Sequence, residues 1–311
     1  MNKFRSFSYL TIFITYLLIF IGGLVRVSGA GMGCPDWPKC FDRWIPPTNI
    51  DQLPDHIDPA LFNIVLAWIE YINRLFGVLV GLFILITMLM ALKYYNSNSK
   101  VKWSVIMAFI LTLIQGWLGS VLVHTILNPI TISLHLLLAL IIVLLLVHAS
   151  YLSYCVDNPN SERISKYESK NKILFFILGL TLFIEIILGT EIRGGLEMVR
   201  KENPIVDSEF LLQMLGPFKY MHTVLGIIIA LISSFLCFSF IKKSYKPSAT
   251  IKATSVSIVF LVYCQIFLGE MLVLLDVIPL LQLFHLWFAS IILGLVMIQY
   301  LAWKQSKLNN E

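Results

Sequence analysis

A chain of 311 residues that is 58% hydrophobic and only 13% charged is too apolar for a water-soluble domain of its size. Its formal net charge of +5 comes from basic residues gathered on one side of a membrane, so no nucleic acid partner is implied. The composition leaves a polytopic membrane protein.

Apolar runs of about 20 residues cross a hydrocarbon layer of ~30 Å as helices. Eight such runs are predicted, at about 7–27, 63–92, 103–124, 131–153, 173–191, 218–241, 253–275 and 279–302. The first is too long for a signal-peptide core and lacks a cleavage site, so it is expected to stay as a helix in a bacterial inner membrane. Of the 23 Lys and Arg, 15 fall at the two ends of the chain and in the loops after the second, fourth and sixth runs. By the positive-inside rule both termini are cytoplasmic.

The first external loop carries "GCPDWPKC", with Cys34 and Cys40. Outside the cytoplasmic membrane disulfides persist, and the prolines and short spacing suit a local bridge. Two free thiols or a transient metal site are the alternatives. Cys155, Cys237 and Cys264 fall at or in helices and read as packing residues.

The second run opens "WIEYINRLFG", placing Glu70, Asn73 and Arg74 within an apolar segment. Later segments show that the chain is duplicated. Gln115, Gly119, Pro129 and His135 stand 150 residues before Gln265, Gly269, Pro279 and His285. Tyr71 and Gly77 stand 149 before Tyr220 and Gly226, which sets Asn73 over His222. "GGLVRVSG" over "GTEIRGG" sets Arg26 over Arg193. The fold class expected is therefore all-α, with eight transmembrane helices as two tandem pseudo-symmetric four-helix bundles. The halves are 1–156 and 173–311, and the charged segment 157–172 is a cytoplasmic linker. An even number of crossings gives both halves the same orientation, related by an axis along the membrane normal.

His222 and His285 lie in the outer halves of two helices of the second bundle, where facing imidazoles can clamp a haem iron from both sides. An interhelical hydrogen bond is the plainer reading of any one such histidine, but repetition at matched positions favours ligation. His124 and His148 have no counterparts at that offset and are not taken as ligands. In the first half His135 is paired across the bundle with Asn73, a poor iron ligand, which leaves one face of an iron open. Glu70 lies one turn before Asn73 on the same face, so a carboxylate stands beside that open position. An ion pair with Arg74 or Arg26 is the alternative for Glu70. Arg26, Arg74 and Arg193, near the outer boundary, suit haem propionates or snorkelling to headgroups. Glu185, with no obvious local cation, reads as a proton route or a structural bond.

The pattern resembles the haem A synthase family of bacteria and mitochondria. The resemblance rests on "GGLVRVSGAGMGCPDWPKC", "EYINR", "SLHL", "YMHTVLG" and "LFHLW", and covers nearly the whole chain. It implies oxidation of a ring methyl of haem O, by successive hydroxylations, to the formyl group of haem A. It implies that His222 and His285 ligate a retained haem b that relays electrons, and that His135 ligates the substrate haem in a catalytic first half, beside Asn73, Arg74 and Arg26. It further implies that Glu70 is the functional glutamate, that Arg193 approaches a haem b propionate, and that Cys34 and Cys40 are the external pair, linked as a disulfide. The partners implied are a haem O synthase as donor, terminal oxidase assembly as destination, membrane lipid and, as an open option, a second copy of the chain. The sequence departs from the family where Asn73 replaces a usual histidine, and the second external loop has no cysteine pair. The main competing reading is a di-haem membrane cytochrome passing electrons to or from quinol; a transporter built from parallel repeats is the other.

Overall fold

Eight long helices cross the molecule in the computed structural model, which describes residues 2–159, 161–162, 170–202, 214, 216–242, 246–275 and 277–308. They are α1 (Asn2–Val27), α2 (Ile64–Tyr94), α3 (Ser99–His124), α4 (Pro129–Asp157), α5 (Lys170–Glu202), α6 (Pro217–Ile241), α7 (Ala249–Leu274) and α8 (Pro279–Leu308). All eight are long and apolar enough to span a bilayer, and the described residues contain no strand. Half of the 157–172 linker and most of the loop between α5 and α6 lie outside the described residues.

Local signals start the helices where the sequence places them. Asn63 caps α2 by accepting from Val65 N and Leu66 N, Asn98 caps α3, and Ser248 caps α7. Asn128 caps α4 with Pro129 in the first turn, where proline's missing N–H is no loss. Several helices outrun their apolar cores: α5 continues eleven residues beyond the predicted 191 and α8 six beyond 302. Their extra turns are richer in charged residues, among them Arg193 and Glu197 on α5 and Lys304 on α8.

Within each half, consecutive helices pack side by side and the first returns to the last, α1–α2–α3–α4 and α5–α6–α7–α8. The halves meet where α1 and α4 pack on α8 and α4 touches α5. This is the contact set a twofold axis between the halves generates. The repeat extends to the turns: Leu127 N donates to Leu122 O at 3.0 Å and Val277 N to Leu272 O at 2.8 Å, with Leu127 at φ 57° and Val277 at φ 58°. The largest buried cluster spans both halves, from Leu140 and Tyr151 of α4 to Leu178 of α5, Ile258 of α7 and Trp303 of α8. Because lipid is as apolar as leucine, close packing and interhelical hydrogen bonds hold such helices together. Examples are Thr11 to Thr87 at 2.8 Å, Gln299 to Ser255 at 2.6 Å, and the indole of Trp287 donating to Tyr16 O at 2.9 Å.

Candidate haem sites in the two bundles

In the second half, α6 and α8 bring His222 and His285 together. Their ring centroids are 6.2 Å apart and the planes are tilted by 58°. A metal–imidazole bond of about 2.0 Å on each side places two ring centres about 6 Å apart, so the spacing matches an iron held from both faces. Glycines make room around both rings. A Cβ on Gly189 of α5 would lie 3.4 Å from His222 Cε1, and one on Gly269 of α7 would lie 3.6 Å from His285 Cε1. Gln265 fixes α8 beside the site by donating to His285 O at 2.6 Å. Nδ1 of His285 is buried without a partner, which in a dry bundle marks a ring suited to a metal.

Glu185, expected to serve a proton route or a structural bond, lies with its Oε1 3.1 Å from Nδ1 of His222. The partner sits on the neighbouring helix, so separation along the chain hid it. A carboxylate behind an imidazole is the usual means of orienting a metal-bound histidine. Counting back 167 residues, as from Arg193 to Arg26, Glu185 falls on Leu18, so the first half lacks this device.

The first half repeats the scaffold with different donors. Gln115 donates to His135 O at 3.0 Å, and a Cβ on Gly119 would lie 3.8 Å from His135 Cε1. His135 Nδ1 is buried without a partner, as is Oδ1 of Asn73. A Cβ on Gly22 of α1 would lie 4.0 Å from that Oδ1. So Gly22 and Asn73 stand where Gly189 and His222 stand in the other half. Among the described residues no three His, Cys, Asp or Glu gather around one point. The donors come one imidazole at a time from opposite helices, which suits an iron that brings its own four porphyrin nitrogens.

The loop between α1 and α2 closes over the first bundle and is tied to α2. Cys34 and Cys40 form a disulfide with Cα atoms 4.7 Å apart. Both sulfurs are buried with Phe41 and Ala67. Gly33 packs so closely that a Cβ there would collide with the backbone carbonyl of Leu66, and a Cβ on Gly31 would lie 2.9 Å from the Leu127 side chain in the α3–α4 turn. The loop therefore reaches from α2 to the α3–α4 turn across one end of the bundle.

Two expected site residues are used by this loop. Glu70 accepts the Cys34 amide on Oε2 at 2.8 Å, and Oε1 pairs with Arg74. Arg74 donates to Asp36 O and Lys39 O, both at 2.8 Å, to Cys34 O at 3.3 Å, and through Nε and Nη2 to Glu70. A guanidinium has five N–H donors, and all five are occupied here. Both oxygens of Glu70 are likewise engaged, and the Glu70–Arg74 ion pair weighed from the sequence is present.

Arg26 and Arg193 bind across the halves: Arg26 donates to Thr190 O at 3.4 Å and Arg193 to Arg26 O at 3.0 Å. Nε of Arg26 is buried without a partner. His124 turns back on its own helix to Ser120 O at 2.7 Å, in keeping with a helix-end role.

The chain matches the cytochrome oxidase assembly protein (COX15-CtaA) family over residues 5–297. It belongs to that family. As a COX15-CtaA member with eight spanning helices it is a multi-pass bacterial membrane protein. Among its curated relatives, the Heme A synthase of Shewanella oneidensis is 36% identical over 149 residues, covering 45% of this chain and 43% of that protein. The Heme A synthase of Geobacillus kaustophilus is 28% identical over 176 residues, covering 56% of this chain and 50% of the relative. That of Bacillus cereus is 30% identical over 110 residues, covering 35% and 30%. The chain thus spans half or less of these relatives' own length.

Proposed function

We propose that the protein is a haem A synthase of the bacterial cytoplasmic membrane, with both termini cytoplasmic. It oxidises a ring methyl of haem O to an alcohol and then to a hydrate that loses water to leave the formyl group of haem A. The observation that carries this reading is the inequality of two otherwise matched sites: a His222–His285 pair 6.2 Å apart in one bundle, and His135 opposite Asn73 in the other. Two strong ligands suit an electron carrier, because the iron keeps its coordination in both oxidation states. One strong ligand and an amide suit a substrate whose iron needs a free position.

In this reading haem b, when bound in the second half, supplies one-electron chemistry. His222 and His285 hold it, Glu185 orients His222, and Gln265 braces the helix that carries His285. In the first half His135 holds haem O, and Asn73 leaves the opposite face open while offering an amide to whatever enters it. The loop tied by Glu70 and Arg74 covers the outer end of that bundle and limits water. Arg26 is the cation for the substrate propionates and Arg193 for those of haem b. A haem O synthase supplies the substrate, and the product goes to terminal oxidase assembly.

The test is expression in cells that make haem O but no haem A, followed by haem extraction and chromatography. Haem A in the extract supports the reading. A purified protein that carries two haems and yields only haem O would leave the di-haem cytochrome in its place.

A further inference from the structure

One row of α2 is open along its whole length. Val65, Ile72, Leu75, Leu82 and Leu89 are each more than half exposed. They recur at intervals of three and seven residues, which is one face of a helix. On a spanning helix such a row meets lipid. The 31 residues of α2 reach about 46 Å, against a hydrocarbon layer of ~30 Å, so its ends stand among the headgroups.

The loop between α1 and α2 shares the start of this row. Trp68 lies on the same face, three residues after Val65, and its indole N–H donates to Pro47 O at 3.4 Å. Pro46 and Pro47 are buried, while Trp44 and Ile45 just before them are 69% and 62% exposed. Leu61, at the foot of α2, is 70% exposed. The segment that carries Trp44 and Ile45 is held shut by its own hydrogen bonds. Cys40 N donates to Arg43 O at 2.9 Å and Arg43 N to Cys40 O at 3.2 Å. Arg43 also donates to Gln52 O at 3.3 Å, and the Gln52 side chain accepts from Thr48 N at 2.9 Å. Polar groups paired internally are what an apolar medium demands, and large apolar side chains held outward are what water penalises. Charge does not draw the loop to a surface. Asp36, Asp42, Asp51, Asp55 and Asp58 stand against Lys39 and Arg43, so anionic headgroups repel it.

We propose that this loop is anchored in the bilayer interface, with Trp44, Ile45 and Leu61 seated just below the headgroups as a continuation of the lipid-facing row of α2. The anchor is apolar burial, with tryptophan at the depth its amphipathic ring favours. Lipid then holds one side of the loop, while Glu70, Arg74 and the disulfide hold the other. The lipid is favoured over a second copy of the chain because the row runs on without a break to Leu89, through the thickness of the membrane. The anchor is independent of the haem chemistry proposed above.

The experiment uses the full chain in phosphatidylcholine nanodiscs and follows the emission of Trp44, taken as the difference between the parent and Trp44→Phe. Lipid brominated near the headgroup should quench it roughly twofold or more, lipid brominated near the chain ends much less, and aqueous iodide hardly at all, as for a side chain about 5–10 Å inside the boundary. The pattern should persist at about 1 M salt, which screens charge. Quenching by iodide and not by lipid puts the loop in water and overturns the proposal. Emission that neither quencher reaches means that protein, a second copy included, covers Trp44, and also overturns it. Quenching that grows with added phosphatidylglycerol and fades in salt would make the contact electrostatic, against the apolar anchor. If Trp44→Phe loses its helical circular dichroism, the unaltered chain decides. A diazirine carried on the phosphatidylcholine acyl chain should label residues 44–61, and labelling there by a water-soluble diazirine alone overturns the proposal.

Discussion

The Glu70 carboxylate accepts the Cys34 amide proton at 2.8 Å while its other oxygen grips Arg74, so one buried side chain joins α2 to the disulfide loop. Removing one partner of a buried ion pair leaves the other uncompensated, at about 3–5 kcal/mol. Glu70→Ala is therefore expected to release the loop and speed reduction of the Cys34–Cys40 bond by dithiothreitol at least tenfold. Glu70→Gln keeps an acceptor for the amide and falls between. Thiol alkylation against time checks both, and unchanged rates would show that the loop is held elsewhere.

Gly33 and Gly29 lie four residues apart and should respond to alanine for different reasons. At Gly33 the obstacle is the Leu66 backbone, which cannot move aside. Overpacking of this kind is worth about 1–3 kcal/mol, and the loop should lose its seat. At Gly29 a Cβ meets nothing within 4 Å, but φ is +73°, so the expected loss is about 1–2 kcal/mol with the loop still in place. Thermal unfolding in detergent, together with protease nicking between residues 33 and 45, separates the two.

The glycines facing the imidazoles predict a size threshold. A Cβ at Gly269 stays in ordinary contact with His285 at 3.6 Å, so Gly269→Ala should bind haem nearly as well as the parent. Gly269→Val adds two methyl groups to the same space and should lower haem content in the second half several-fold. The pyridine haemochrome assay gives haem per polypeptide directly.

Glu185 supports His222 without touching the iron in this reading. Glu185→Gln should keep the low-spin spectrum of a bis-histidine haem but weaken haem retention about tenfold, the usual effect of losing a residue that orients a metal ligand. Its midpoint potential should rise, because a less basic imidazole favours the ferrous iron. A variant with wild-type potential and retention would reduce Glu185 to a packing residue.

Asn73→His tests the inequality of the halves. Placing an imidazole at the position matched to His222 should convert the first-site ferric haem from high-spin to low-spin, visible by electron paramagnetic resonance, and suppress haem A formation. A strong gain in activity would mean that an open face is not what the first half provides.

The fold was legible in the sequence because a membrane imposes few choices. Spans of about 20 apolar residues and a 150-residue repeat determine eight helices, their pairing into halves and the histidines at matched depth. The Cys34–Cys40 bridge expected of the short, proline-rich loop is present in the structure. What the sequence could not decide was the use made of each charge. Glu70, Asn73 and Arg74 share one stretch of helix, and from the sequence Glu70 could either face the haem pocket or pair with Arg74 or Arg26. The tertiary structure gave Glu70 and Arg74 to the loop, because the free N–H and C=O groups of a tight turn seek partners that lipid cannot offer, and a carboxylate–guanidinium pair supplies both kinds at once. Glu185 met His222 for the converse reason: neighbours across a bundle are set by helix packing, which no spacing along the chain records.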